Sequence, residues 1–157
     1  MKKEKLTTLL IFIIGTELVG ALSALFSGKN FSAFYQSLNQ PPLAPPGWLF
    51  PVMWAILYVL MGISAYQIYE SEHSLRRNAL LLYGIQLAVN FSWSIVFFRF
   101  KSLLGALLVI ILLLILVALM MLLFGRIRKS AAWLNLPYLL WTAFATYLTI
   151  GIFLLNR

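Results

Sequence analysis

Apolar residues fill this chain in long unbroken runs, and five of those runs are of membrane-spanning length: roughly Leu6–Phe26, Trp48–Tyr69, Leu75–Phe98, Ser102–Phe124 and Ala131–Leu155. A helix rising about 1.5 Å per residue crosses some 30 Å of hydrocarbon in such a run. A β-barrel would need alternating segments of about ten residues instead. The pattern therefore predicts an all-α integral membrane protein, a five-transmembrane-helix bundle forming one domain over residues 1–157. The connections after the second, third and fourth runs are only a few residues long, so sequential helices should be antiparallel neighbours. We find no internal repeat, so an inverted-repeat transporter is not indicated.

One long interruption stands between the first two runs. Residues 27–47 hold Pro41, Pro42, Pro45 and Pro46, four of the six prolines, with Phe34 and Tyr35 ahead of them and Trp48 just behind. Proline lacks a backbone donor and clashes with the preceding turn, so this stretch cannot continue a helix. It reads as an outside loop, stiffened by fixed φ angles, that forms a lid over a pocket. At the N-terminus, Met1-Lys2-Lys3-Glu4-Lys5, an apolar run and Ala21-Leu22-Ser23 have the outline of a cleavable signal peptide. The apolar stretch continues to Phe26, however, and is read as a retained first helix.

Composition agrees with the pattern. The chain is 62% hydrophobic and 10% charged, against about 25% charged in a water-soluble domain. The net charge of +8 does not point to nucleic acid, because its placement follows the positive-inside rule. Lys2, Lys3, Lys5, Arg76, Arg77, Arg126, Arg128 and Lys129 fall on one side; Lys29, Arg99, Lys101 and Arg157 fall on the other. The expectation is a multi-pass protein of the cell membrane with a cytoplasmic N-terminus and an external lid and C-terminus.

Helix faces supply the candidate site. In the third run Tyr83, Gln86, Asn90, Trp93 and Phe97 recur every three or four residues and share a face, while Gly84, Ala88 and Ser92 fall roughly opposite. Lipid tails reward neither set. Buried amides need partners inside a bundle or cavity, and a small-residue stripe admits a close helix. That second helix could belong to another protomer or to the same chain. Trp54, Tyr58, Met61 and Ala65 line one stripe of the second run; Tyr138, Trp141 and Ala145, with Thr149 near, line one of the fifth. Such stripes serve core packing or a ligand cavity. Trp48 and Trp133, near run ends, read as interfacial anchors.

The reactive inventory is small. There is no cysteine, the one histidine is His73, and all four carboxylates are Glu. Glu70, Glu72 and His73 have the composition of a solvated loop. No residues have metal-ligand spacing, a buried axial His for haem is absent, and so are hydrolytic triads and carboxylate pairs. Glu17 differs, because it lies mid-run in the first helix, where a carboxyl is either a functional group or a protonated acid bonded to an inward polar partner. What the chain does offer is flat aromatic walls. Those suit a large planar lipophile stacked on Trp and Tyr and oriented by Asn90.

Several motifs carry a resemblance. Pro45-Pro46-Gly47-Trp48, Pro51-Val52-Met53-Trp54-Ala55-Ile56-Leu57-Tyr58-Val59-Leu60-Met61-Gly62, Gln86-Leu87-Ala88-Val89-Asn90-Phe91-Ser92-Trp93, Phe97-Phe98 and Pro137-Tyr138-Leu139-Leu140-Trp141-Thr142-Ala143-Phe144-Ala145-Thr146 follow in order. The chain resembles bacterial members of the TspO/MBR family, which comprises tryptophan-rich sensory proteins and the mitochondrial translocator proteins once called peripheral benzodiazepine receptors. The resemblance spans essentially the whole chain. It implies a five-helix bundle, commonly a homodimer, with a cavity beneath the first loop that takes porphyrins such as protoporphyrin IX and benzodiazepine-type drugs. Cavity residues by matching position are Trp54, Tyr58, Asn90, Trp93, Trp141 and Ala145, with Tyr35 from the lid. Pro45 and Pro46 of the lid, and Tyr138 and Thr149 of the fifth-run face, complete the candidate ligand contacts. Trp54 and Trp141 fall at positions tied to light- and oxygen-dependent porphyrin breakdown in some bacterial members. No permanently bound cofactor is implied. Gly84, Ala88 and Ser92 are the candidate dimer contact.

The chain also departs from the family pattern. Phe34-Tyr35 stands where Trp-Tyr is frequent, Leu43 where a Trp is frequent, and Thr149 where Asn is frequent. After Tyr147 the next basic residue is Arg157, so the C-terminal sterol motif of animal members is absent; Arg77, Tyr83 and Leu87 fit only the reversed pattern. Three functions follow from these residues. The first is a tetrapyrrole-binding receptor or sensor that could also degrade porphyrin. The second is an exporter of porphyrin or another planar lipophile, and the third is a regulatory scaffold.

Overall fold

The computed structural model describes residues 2–157; Met1, the start of the N-terminal segment discussed above, lies outside them. The helices are α1 (Lys3–Ser27), α2 (Phe31–Ser37), α3 (Leu49–Tyr69), α4 (Arg76–Ser94), α5 (Leu103–Ile127), α6 (Lys129–Leu134) and α7 (Leu136–Asn156), and α4 runs on through a π turn over Ile95–Arg99. Five segments are long and apolar enough to cross a membrane, with α4 plus its π turn counted as one and α6 plus α7 as another. No strand occurs among the described residues. The all-α bundle expected from the runs is therefore observed, and the chain is a multi-pass membrane protein.

Local chemistry sets the ends. α1 stops at Gly28, whose φ of 97° only glycine adopts without strain. Ser102 caps α5 by accepting the Gly105 N–H at 3.1 Å. The fifth span bends at Asn135, because Pro137 cannot donate into the turn before it. Asn135 Nδ2 fills the break by donating to Ser64 Oγ (2.6 Å) and the Ala131 carbonyl (3.0 Å), while Ser64 Oγ donates to that same carbonyl at 2.7 Å. The bend is thereby tied to α3.

Around the bundle the order is α1, α3, α6 with α7, α5, α4 and back to α1. The α1–α3 contact is close at Gly62, where an added Cβ would lie 2.7 Å from the Ile13 Cα. The core is aromatic and aliphatic, with Leu57, Met61, Ile110, Met120, Phe124 and Tyr138 fully enclosed. Trp48 and Trp133 are each 67% exposed at span ends, as anchors in the interfacial layer would be.

The lid differs from a plain loop. Residues 31–37, ahead of the first proline, contain no breaker and coil into α2, which seats Phe31 against Phe98 (4.4 Å between ring centroids) and Phe34 against Phe97 (5.8 Å). Beyond it the chain is stapled to the end of α7. The Asn39 N–H donates to Asn156 Oδ1 (3.0 Å), Asn156 Nδ2 donates to the Asn39 carbonyl (2.8 Å), and the Tyr147 hydroxyl donates to the Pro42 carbonyl (2.7 Å). Pro41 packs directly on Gly151.

Candidate functional site

Below the lid a cavity of about 430 Å³ opens among α1, α3 and α4. That is room for a drug-sized molecule. α3 contributes Phe50, Pro51, Trp54, Ala55 and Tyr58; α4 with its π turn contributes Asn90, Trp93, Ser94 and Phe98. α1 contributes Glu17, Gly20, Ala21, Ser23, Ala24 and Ser27, and α2 adds Phe31. Ala21, Ala24, Pro51 and Ala55 are exposed, and the α1 and α3 sides of the cavity carry these small side chains.

Its floor is a hydrogen-bonded ladder. The Tyr58 hydroxyl donates to Asn90 Oδ1 at 2.6 Å, Asn90 Nδ2 donates to the Tyr138 hydroxyl at 2.8 Å, and Tyr138 donates to Gln86 Oε1 at 2.7 Å. Gln86 Nε2 closes the ladder on Met61 Sδ at 3.7 Å. In a bundle core each of these groups would otherwise be orphaned, so the ladder holds the third-run face expected from the sequence rigidly inward. Tyr83, on the same face, bonds Thr16 of α1. Trp54 stacks on Tyr58 (centroids 5.6 Å, 26° between planes), and Trp93 stacks on Phe97 (5.4 Å, 28°). Trp54, Tyr58 and Trp93 thus bring flat, electron-rich rings to the same cavity as the oriented Asn90 amide.

The expected site residues divide into groups. Trp54, Tyr58, Asn90 and Trp93 line the cavity. Tyr138 lies behind it, fully enclosed, and acts through Asn90. Tyr35, Ala145 and Thr149 surround a separate crevice of about 10 Å³, hardly one water's worth of space, that shares Phe50, Trp93 and Phe98 with the cavity. Trp141 lines neither space and instead meets the ring of Phe50 edge-on at 5.8 Å. Thr149 donates its hydroxyl proton to the Ala145 carbonyl (2.7 Å).

Pro46 is exposed on the lid and Pro45 half-buried, neither lining the cavity, and the Tyr35 hydroxyl donates to the Pro45 carbonyl at 2.8 Å. Burial pushes the Tyr35 phenol above its ordinary range, which keeps the donor protonated. The indole N–H groups of Trp93 and Trp141 are buried without an acceptor. Gly84 and Ala88 lie exposed on the outside of α4 with Ser92 half-buried beside them, so the small stripe does not pack within the chain.

The α1 wall was the part the residue pattern left unassigned. A signal was present: Glu17, Gly20, Ala21, Ala24 and Ser27 recur at spacings of three and four, a small-residue face around one acid. Gly20 matters most, since the Tyr58 ring occupies the place where its side chain would be. Ser23, Ser27 and Ser94 form a closed cluster, with Ser23 Oγ 2.6 Å and Ser27 Oγ 2.8 Å from Ser94 Oγ, and Ser23 donating to the Phe91 carbonyl at 2.8 Å.

Comparison with known proteins adds to this geometry. The profile of the TspO/MBR family matches residues 12–155. A tryptophan-rich protein TspO of Chlorobaculum tepidum is 39% identical over 161 residues, covering 99% of each chain. Protein CrtK of Rhodobacter capsulatus is 35% identical over 153 residues, covering 96% of this chain and 94% of its own. The translocator protein of Bos taurus is 32% identical over 137 residues, covering 85% of this chain and 81% of its own.

Proposed function

This chain belongs to the TspO/MBR family, and from that premise we propose that it is a membrane receptor or sensor whose ligand is a planar tetrapyrrole, protoporphyrin IX, held in the cavity beneath the lid. The observation that carries the reading is the apolar cavity itself, about 430 Å³, walled by the rings of Trp54, Tyr58, Trp93 and Phe98, with Trp54 stacked on Tyr58. Such walls attract a planar ring system by dispersion and by offset stacking. A relative from Cereibacter sphaeroides, 38% identical over 123 residues, carries the name tryptophan-rich sensory protein, which accords with a sensing role. The same walls suit the flat aromatic drugs of the benzodiazepine class.

Porphyrin breakdown is the second activity in this reading. An indole against a photoexcited porphyrin can donate an electron to it, with dioxygen as the terminal oxidant. Trp54 lines the cavity and is placed for direct contact; Trp141 stands behind Phe50 and would act after that ring moves aside. The exposed stripe of Gly84, Ala88 and Ser92 is the face proposed for a homodimer.

The test is a titration of purified protein with protoporphyrin IX, following tryptophan quenching in darkness and porphyrin absorbance under illumination. Saturable quenching is expected, with light-dependent loss of the porphyrin bands that Trp54→Phe slows. Bleaching no faster than in detergent alone would leave a receptor without the degrading activity. Quenching that never saturates would reject the tetrapyrrole assignment.

A further inference from the structure

We propose that Glu17 makes this cavity selective for lipophiles carrying a basic amine, a ligand class beyond the tetrapyrrole; the proposal rests on the reading of the cavity as a ligand site. Glu17 is the one ionisable carboxyl on the cavity wall, and no lysine, arginine or histidine lines that wall. Among the described residues its carboxyl makes no hydrogen bond and no ion pair; the salt bridge found, Lys5 to Glu70, lies elsewhere. It sits one turn before Gly20, the point where the Tyr58 ring lies against α1. The acid therefore faces the same part of the cavity as the Tyr58–Asn90 pair.

The Tyr58–Asn90 pair offers a ligand only acceptor oxygen, and the donors on the cavity wall are the weaker, uncharged indole N–H groups of Trp54 and Trp93. Asn90 turns its NH₂ toward Tyr138 and its oxygen toward Tyr58; the Tyr58 proton is committed to that oxygen, which leaves the phenol oxygen as an acceptor. The hydroxyls of Ser23, Ser27 and Ser94 are occupied with one another and with the Ser23 and Phe91 carbonyls. A ligand acid would meet lone pairs at the Tyr58–Asn90 pair and a second carboxyl at Glu17. An ammonium would meet a carboxylate and two further oxygens, and a carboxylate with an ammonium is neutral as a pair, whichever partner brought the proton. Charge-assisted bonds in a site shielded from water are the strong ones. Of the cations flanking α1, Lys5 pairs with Glu70, and Lys29, like Arg99 and Lys101 at the lid end, is exposed; none of them lines the cavity.

A matched pair of probes decides the matter: aminomethyl-anthracene and hydroxymethyl-anthracene, equal in ring and nearly equal in size. Each is titrated into protein in neutral detergent with tryptophan fluorescence as the readout. The wild type is expected to bind the amine about tenfold or more tighter than the alcohol, the worth of one charge-assisted bond. Glu17→Gln is expected to abolish the difference between the two probes, and saturable binding of the alcohol by the variant would report that the cavity remains intact. As a second readout on the unaltered protein, infrared difference spectra should show the Glu17 carboxyl band responding to the amine and not to the alcohol. Equal affinities in the wild type, or a preference that survives Glu17→Gln, would overturn the proposal while the receptor reading stands. Should neither probe bind saturably, both fall.

Discussion

Replacing Gly20 by alanine probes the seam between α1 and the cavity floor. The new methyl would lie 2.1 Å from Tyr58 Cε2, 2.5 Å from Cδ2 and 2.9 Å from Cζ. Non-bonded carbons settle at about 3.5 Å, so against the 2.1 Å available the ring and the helix must part by roughly 1.4 Å. Tyr58 has no idle direction in which to go. Its hydroxyl is held 2.6 Å from Asn90 Oδ1, and its ring stacks on Trp54. Retreat either breaks that hydrogen bond or drives Trp54 into the cavity. Overpacking costs about 1–3 kcal/mol and the lost bond about 0.5–1.5 kcal/mol, so the expected loss of stability is roughly 1.5–4.5 kcal/mol. Porphyrin affinity should fall with it, because the stacked wall is the part displaced. The assay is thermal unfolding in detergent alongside porphyrin titration, done for Gly20→Ala, Tyr58→Val and the double variant. Removing the ring removes the clash, so Gly20→Ala should cost at least about 1 kcal/mol less in the Tyr58→Val background. An equal cost in both backgrounds would refute the argument, since the clash with Tyr58 would then not be its cause.

Two further outcomes follow from the same geometry. Asn90→Leu strands the buried Tyr58 hydroxyl and should destabilise by about 1–3 kcal/mol, whereas Tyr138 keeps Gln86 as its acceptor; adding Tyr58→Phe should recover part of the loss in an unfolding measurement. Gly84→Ala meets nothing within 4 Å inside the chain and should leave the unfolding temperature of the monomer unchanged or raised, yet shift the monomer–dimer ratio if this face joins two copies, as size-exclusion chromatography with light scattering would report.

Much of the architecture was legible along the chain, for a physical reason. A backbone in hydrocarbon must satisfy its own hydrogen bonds, so an apolar run of spanning length has to be a helix, and five runs become five spans with little freedom left. The inward face of Tyr83, Gln86, Asn90 and Trp93 was equally plain, because lipid does not reward amides at helical spacing. The ends were less so. Nothing in residues 31–37 marks a helix except the lack of a breaker, and α2 forms because Phe31 and Phe34 find Phe98 and Phe97 to pack on. Pro137 marks the break in the fifth run, but that the bend at Asn135 is tied to Ser64 of α3 is set by packing between helices.

Residue types and helical period alone thus determined that this is a helical membrane protein with a polar and aromatic interior. They also determined which face of the second, third and fifth spans turns inward, since both follow from interactions within one helix or between a helix and lipid. Which inward residues meet one another was decided only by the tertiary packing. It separated Trp54, Tyr58, Asn90 and Trp93 at the cavity from Tyr35, Ala145 and Thr149 at a closed crevice, and it placed Trp141 behind Phe50. It also brought α1 into the site. Gly20 there is a place to stand for the ring of Tyr58, 38 positions later in the chain, and Glu17 gains its importance from the lack of any basic neighbour across the cavity. Such relations depend on the distance between helices, and a single helix does not encode that distance.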